Sequence, residues 1–281
     1  MRTNYSGWFS SHHNTYKLQA TPCQRFGITP LDFIVLEQIQ HRPWPSPTRS
    51  WAMHMVWSDL LFAHWPVPAN ALRPLLPPEL VLDTFDGEAW LGVVPFQMSE
   101  TRLRGLPPVP GSGTFCELNV RTYVRAQHKP GVWFFSLDAS SRLAVRTARR
   151  FFHLPYFDAK MSAEARSGWT HYQSRRTHRG AATAEFQARY QSIGDVFISK
   201  PNTLEHWLTE RYCLYVSDKK SRVFRGDIHH DPWPLQRAEA EFYRNDMTNW
   251  LGFNLPSTVP HLLFAKRLEV VAWTLSRLDK P

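Results

Sequence analysis

The chain has 281 residues, with 33 Lys+Arg against 24 Asp+Glu and a formal net charge of +9. Hydrophobic residues make up 43% and aromatics 14%, too apolar a mix for a disordered chain. The length allows a fully buried core without a disulfide or metal staple, and no stretch approaches the roughly 18–20 apolar residues of a membrane helix.

Residues 1–50 differ from the rest. They are polar at first, with one apolar block, LDFIVLEQI (31–39). Thr29-Pro30 ahead of that block predicts a helix N-cap followed by proline in the first turn. The stretch ends in HRPWPSPTRS, a proline-rich linker. We read 1–50 as a partly disordered N-terminal appendage and linker, and 51–281 as a single domain.

From Trp51 the pattern is β-rich. DLLFAHWPV (59–67) predicts a strand and ANALRPLLP (69–77) a short helix. LVLDTF and EAWLGVVPF (80–96) flank Asp86-Gly87, the dipeptide of a two-residue hairpin turn. RGLPPVPGSG (104–113) is a loop. FCELNVRTYV (115–124) and GVWFFSLDA (131–139) follow as strands, and LAVRTARRFF (143–152) as a helix ended by Pro155. WTHYQSRR (169–176) and TAEFQARY (183–190) alternate like an antiparallel pair. NTLEHWLTERY (202–212) predicts a helix running into the strand CLYVS (213–217). SRVFRGDIHH (221–230) and LEVVAWTLSRL (268–278) are the late strands. Many strands with few short helices make this a β-rich α+β fold of mainly antiparallel strands.

Several chemistries lack their motifs. There is no G-x-S-x-G elbow, P-loop, dinucleotide-binding glycine pattern or H-E-x-x-H pair. Cys23, Cys116 and Cys213 have no C-x-x-C spacing and suit a reducing compartment. The first residues lack the features of a secretory signal. The expectation is a cytoplasmic protein with no metal and no cofactor. His229-His230-Asp231 reads as an exposed strand end, because neighbouring strand residues point to opposite faces.

The strand 115–124 is the most informative segment. Leu118, Val120, Thr122 and Val124 share one face, an ordinary core face. Glu117, Asn119, Arg121 and Tyr123 share the other. The surrounding chain is strongly apolar, which predicts that both faces are covered. Ionised groups are expensive to bury unless paired, so this polar line is either a structural ion pair or the lining of a binding site. A second constellation lies on the helix 143–152. Arg149 and Arg150 near its end could hold a carboxylate or phosphate. The plainer reading is a basic amphipathic helix with Phe151 and Phe152 packed inward. His64 alternates with Phe62 and reads as a hydrogen-bonded core histidine.

At these residues the sequence resembles a known family. W-x-D-L-L-F-A-H-W-P (57–66), GVVPF (92–96), RGLPPVP (104–110), F-x-ELNVRTYV (115–124), GVWFFSLDA (131–139) and the stretch ending LPY (154–156) together resemble the YqjF-like family, a conserved domain of unknown function. The resemblance covers roughly 51–278. That family looks related to the acetoacetate decarboxylase-like superfamily. The implied fold is a cone-shaped double β-barrel around an apolar cavity, and superfamily relatives often assemble, so a homo-oligomer is compatible. Phe115-Cys116-Glu117 resembles the superfamily's aromatic-x-Glu motif, which makes Glu117 the matching glutamate. The superfamily's two adjacent Schiff-base lysines fall near Arg149-Arg150. Arginine stays protonated and cannot serve as an amine nucleophile.

Three readings stay open. In the first, the chain binds a small organic acid or apolar-acidic metabolite. Arg121, with Arg149 or Arg150, holds the anionic group, and Asn119 and Tyr123 orient a polar atom. If it is an enzyme, Glu117 is then the general acid or base of a lyase or hydrolase without a Schiff base. The second is a Schiff-base decarboxylase or aldolase using Lys160. The third is a nucleic-acid or acidic-partner binding protein working through the arginine-rich stretch from Arg142 to Arg189. That stretch reads more simply as a solvated basic face.

Overall fold

The computed structural model describes residues 38–106, 113–252 and 254–278. The helix expected over 31–39 lies outside these residues except for its last two positions. The first strand, β1 (Met53–Val67), is followed by a four-residue helix, α1 (Ala69–Leu72), and then β2 (Val81–Leu82), β3 (Ala89–Leu103), β4 (Phe115–Ala126) and β5 (Lys129–Ala139). Helix α2 (Arg142–Phe151) leads to β6 (Tyr156–Arg166), β7 (Trp169–Arg176) and β8 (Glu185–Phe197). Helix α3 (Leu204–Thr209) precedes β9 (Cys213–Ser217), β10 (Val223–His229), β11 (Leu235–Asn245), β12 (His261–Ala272) and β13 (Ser276–Arg277).

All these strands form one hydrogen-bonded network in the order β13-β10-β9-β5-β6-β7-β8-β11-β12-β1-β3-β4-β2. β5 also pairs with β4, and β10 with β12, so the order returns on itself at two places. Pairing is antiparallel except where β5 meets β6 and β9. The fold is therefore mostly β with few helices.

The wall β1-β3-β4 explains the long apolar runs. Leu61, Ala63, Leu91, Val93, Leu118 and Val120 pack into one core on one face. Leu60, Phe62, Val94 and Phe96 pack into a second core on the other. A strand buried on both faces shows no apolar/polar alternation. Asp59 sets the register. Its φ is +51°, and the β1–β3 pairing slips between Ser58 and Ala63. This bulge reverses the alternation, so Met55 before it and Leu60 and Phe62 after it all reach the second core.

Two expected features differ in detail. The Asp86-Gly87 turn forms, with φ of +50° and +84°, but it closes only the Phe85–Glu88 bridge. The arm before it crosses to β4, where Val81 pairs with Arg125 and Leu82 with Val124. Asp83 holds it there. Its N–H donates to Tyr123 O at 2.9 Å, and its carboxylate accepts from Arg211 Nη1 at 2.7 Å. His229 and His230 are buried, not exposed. The described part of the expected linker covers them: His41 Nε2 lies 2.9 Å from His230 O. Arg42 Nη1 donates to Ile228 O at 2.7 Å, and Trp51 packs on Val271 and Trp273. Among the described residues no His, Cys, Asp and Glu side chains gather in a metal-holding group.

Candidate functional site

β4 carries the site, and β3 makes room for it. Glu117 lies opposite Phe96, Asn119 opposite Val94 and Arg121 opposite Gly92. On its other edge Gly92 faces His64 of β1. A Cβ on Gly92 would sit 2.8 Å from His64 Nε2 and 3.3 Å from Arg121 Cγ. The missing side chain lets both polar groups cross the face of β3.

Glu117 is 2% exposed. Tyr156 O–H donates to its Oε2 at 2.7 Å. Burial pushes the carboxyl up to about 8, against a smaller downward pull from the Tyr156 bond. At neutral pH this carboxyl keeps its proton. Asn119 is buried, and its Oδ1 has no hydrogen-bond partner. The Arg121 guanidinium carbon stands 5.3 Å from the Phe62 ring centre and 5.8 Å from that of Tyr123. Its Nε is buried and also lacks a partner.

His64 and Tyr123 form a buried dyad, with Nε2 and the phenol oxygen 2.6 Å apart. Burial, then the Arg121 charge, holds the imidazole well below its usual value. Burial raises the phenol. With a neutral ring beside a protonated phenol, a single proton lies between Nε2 and the phenol oxygen. The other ring nitrogen, Nδ1, has no partner. His64 is thus a core histidine, as read, and also part of the polar line.

An aromatic wall closes this face. Trp57 stacks on Trp233 at 6.0 Å, Phe62 meets Trp233 edge-on at 4.9 Å, and Trp57 meets Phe96 at 5.7 Å. The indole nitrogens of Trp57 and Trp233 are buried without partners. Sequence reasoning missed Trp57, Trp233 and Tyr156. Trp57 opens the first motif, and Tyr156 closes the LPY turn. Trp233 sits between two prolines, and nothing local ties it to β4.

The four β4 residues share one buried face. Arg149 and Arg150 lie outside it, exposed on α2. Arg149 Nη1 donates to Tyr156 O at 2.6 Å, so it grips the backbone of the residue that touches Glu117. Arg150 stands over Phe151, which is 65% exposed and does not pack inward as expected. Lys160 is exposed on β6, and no lysine is buried among the described residues. The arginine-rich stretch is partly neutralised. Arg176 pairs with Asp138 at 2.7 Å in the interior, and Arg189 with Glu241 at 2.6 Å on the surface.

The family of uncharacterized conserved proteins called DUF2071 matches residues 54–269 of this chain. The chain belongs to the DUF2071 family. It is also 45% identical over 241 residues to the uncharacterized protein YqjF of Bacillus subtilis (strain 168), covering 86% of this chain and 98% of that one. Solved structures extend the likeness of this DUF2071 chain at the level of fold alone. The enduracididine biosynthesis enzyme MppR with HEPES buffer bound matches at a TM-score of 0.57 and 12% identity, covering 84% of this chain and 89% of that one. Acetoacetate decarboxylase from Legionella pneumophila matches at 0.55 and 10%, covering 87% and 95%. Among the described residues, no helix of the DUF2071 chain is long and apolar enough to cross a membrane.

Proposed function

We propose that the chain binds a small organic acid, or a mixed apolar and acidic metabolite, in an enclosed space along β4. One observation carries this. On a buried face beside a protonated carboxyl, Asn119 Oδ1 and Arg121 Nε have no hydrogen-bond partner. Buried polar atoms are normally satisfied, and a ligand carboxylate, accepting from Arg121, with a neighbouring hydroxyl, donating to Asn119, would satisfy both. Arg121 would hold the anion, and the aromatic wall would take the apolar part. Glu117, poised near neutrality, would act as general acid or base in a lyase- or hydrolase-type reaction. Both returning pairings, β5 with β4 and β10 with β12, support reading the sheet as a double barrel with the site inside. Buried free thiols at Cys116 and Cys213 are in keeping with a reducing, cytoplasmic setting.

Schiff-base chemistry through Lys160 has less support, because that amine is exposed. The test is a thermal-shift screen of small carboxylic and keto acids, with borohydride added to the keto-acid samples. A fitting acid should raise the melting temperature of the wild type. Glu117→Gln and Arg121→Met should fold, by circular dichroism, and lose that rise. Unfolding of both variants would make the pair structural, and a reduced adduct on any lysine would overturn the Schiff-base-free reading.

A further inference from the structure

We infer a second small-molecule site, for an oxyanion, in the open cleft at the other end of β4. The cleft has a volume of about 730 Å³ and is walled by Asp83, Arg125, His128, His206, Trp207 and Arg211, with further residues around its rim. Arg125 lies eight residues beyond Glu117, about 25 Å along an extended strand. The cleft therefore lies apart from Glu117, and meets the buried polar line only at its Tyr123 end, through Arg211.

The cleft's formal charges balance, Arg125 and Arg211 against Asp83 and Glu210, so a place for an anion rests on hydrogen-bonding geometry. Its two acids are already engaged. Asp83 pairs with Arg211 at 2.7 Å. Glu210 accepts from Tyr212 O–H and, at 3.0 Å, from the Trp233 backbone N–H. Arg125 and His128 are exposed at the rim. Arg211 is only 5% exposed. Its Nη1 holds Asp83 and its Nε donates to Trp207 O at 2.6 Å. Its Nη2 has no hydrogen-bond partner. A guanidinium fork with one free edge, fixed by two bonds, is prepared for a carboxylate or phosphate oxygen. The free edge is closely covered, so the anion would engage it with a small shift of the cleft wall. Arg211 also stacks at 4.3 Å on Trp207 and at 4.9 Å on Tyr123. The same guanidinium thus touches both the cleft and the His64–Tyr123 dyad.

The test titrates the full chain with inorganic phosphate and, separately, with acetate, by calorimetry at low ionic strength, with chloride as control. Saturable binding of either anion is expected. Phosphate alone would assign a phosphate site, and acetate alone a carboxylate site. Arg125→Ala and Arg211→Lys should each weaken binding at least about tenfold, while Glu117→Gln leaves it unchanged. Loss of Arg211→Lys to misfolding leaves the decision to surface-exposed Arg125. Binding no tighter than chloride, or insensitive to Arg125→Ala, overturns the proposal. Sensitivity to Glu117→Gln would send the anion to the interior site and also overturn it.

Discussion

Glu117 is the residue from which the most follows. Burial raises its folded value to about 8 from the ordinary 4.5. Below the lower value both folded and unfolded chains are protonated, and the burial has no electrostatic cost. As pH rises through that window, the unfolded chain releases its proton first, so the folded state is progressively disfavoured. The Glu117 contribution to stability should fall between about pH 4.5 and 8, by an amount on the order of a few kcal/mol, against an opposite contribution from buried His64 in the lower part of that window. Glu117→Gln cannot ionise and should flatten that slope. Urea unfolding at a series of pH values would measure it. An equal slope in wild type and variant would mean that the carboxyl is ionised or solvated in the folded chain. The polar line was legible in the strand because four polar residues at spacing two stand out in an apolar stretch. What completes it was not. His64 and Gly92 come from other strands, and only the register brings them opposite Arg121.

At the scale of elements, strands carrying β-branched and aromatic residues were readable, and those carrying alanine were not. β6, β11 and the first half of β12 have no counterpart among the expected elements. β11, LQRAEAEFYRN, alternates well in burial, but its inner positions include Ala238 and Ala240, which favour helix as much as strand. Its strand state comes from its neighbours, β8 and β12. Turns show the same dependence on context. β4 and β5 join through Gln127 and His128, with φ of +50° and +60°. Both are conformations of a primed hairpin turn that Asn-Gly adopts with less strain. Replacing Gln127-His128 by Asn-Gly should therefore stabilise the chain by about 1 kcal/mol. A shift of the urea midpoint to higher concentration, with an unchanged m-value, is the expected reading. A downward shift would mean that these two side chains contribute more than their backbone strain costs.

On the scale of the whole molecule, the two buried cores share one wall. β1, β3 and β4 give Leu61, Val93 and Val120 to one core, and β1 and β3 give Phe62, Val94 and Phe96 to the other, where β4 presents its polar line. The β-rich class and the family could be read from the chain, because local patterns and motifs carry them. The long-range pairings could not, because they join segments far apart in sequence, as where β5 meets β9 or β10 meets β12. A wall with no solvent side also governs how the chain tolerates mutation. In a saturation-mutagenesis library scored for abundance, β11 should show a period-two rhythm, with every second position accepting polar residues. The stretches 60–63 of β1 and 93–96 of β3 should show none, since a charge introduced on either face enters a core. Tolerance there would be set by side-chain volume, so drift would proceed mainly through paired changes of size on the two sides of the wall.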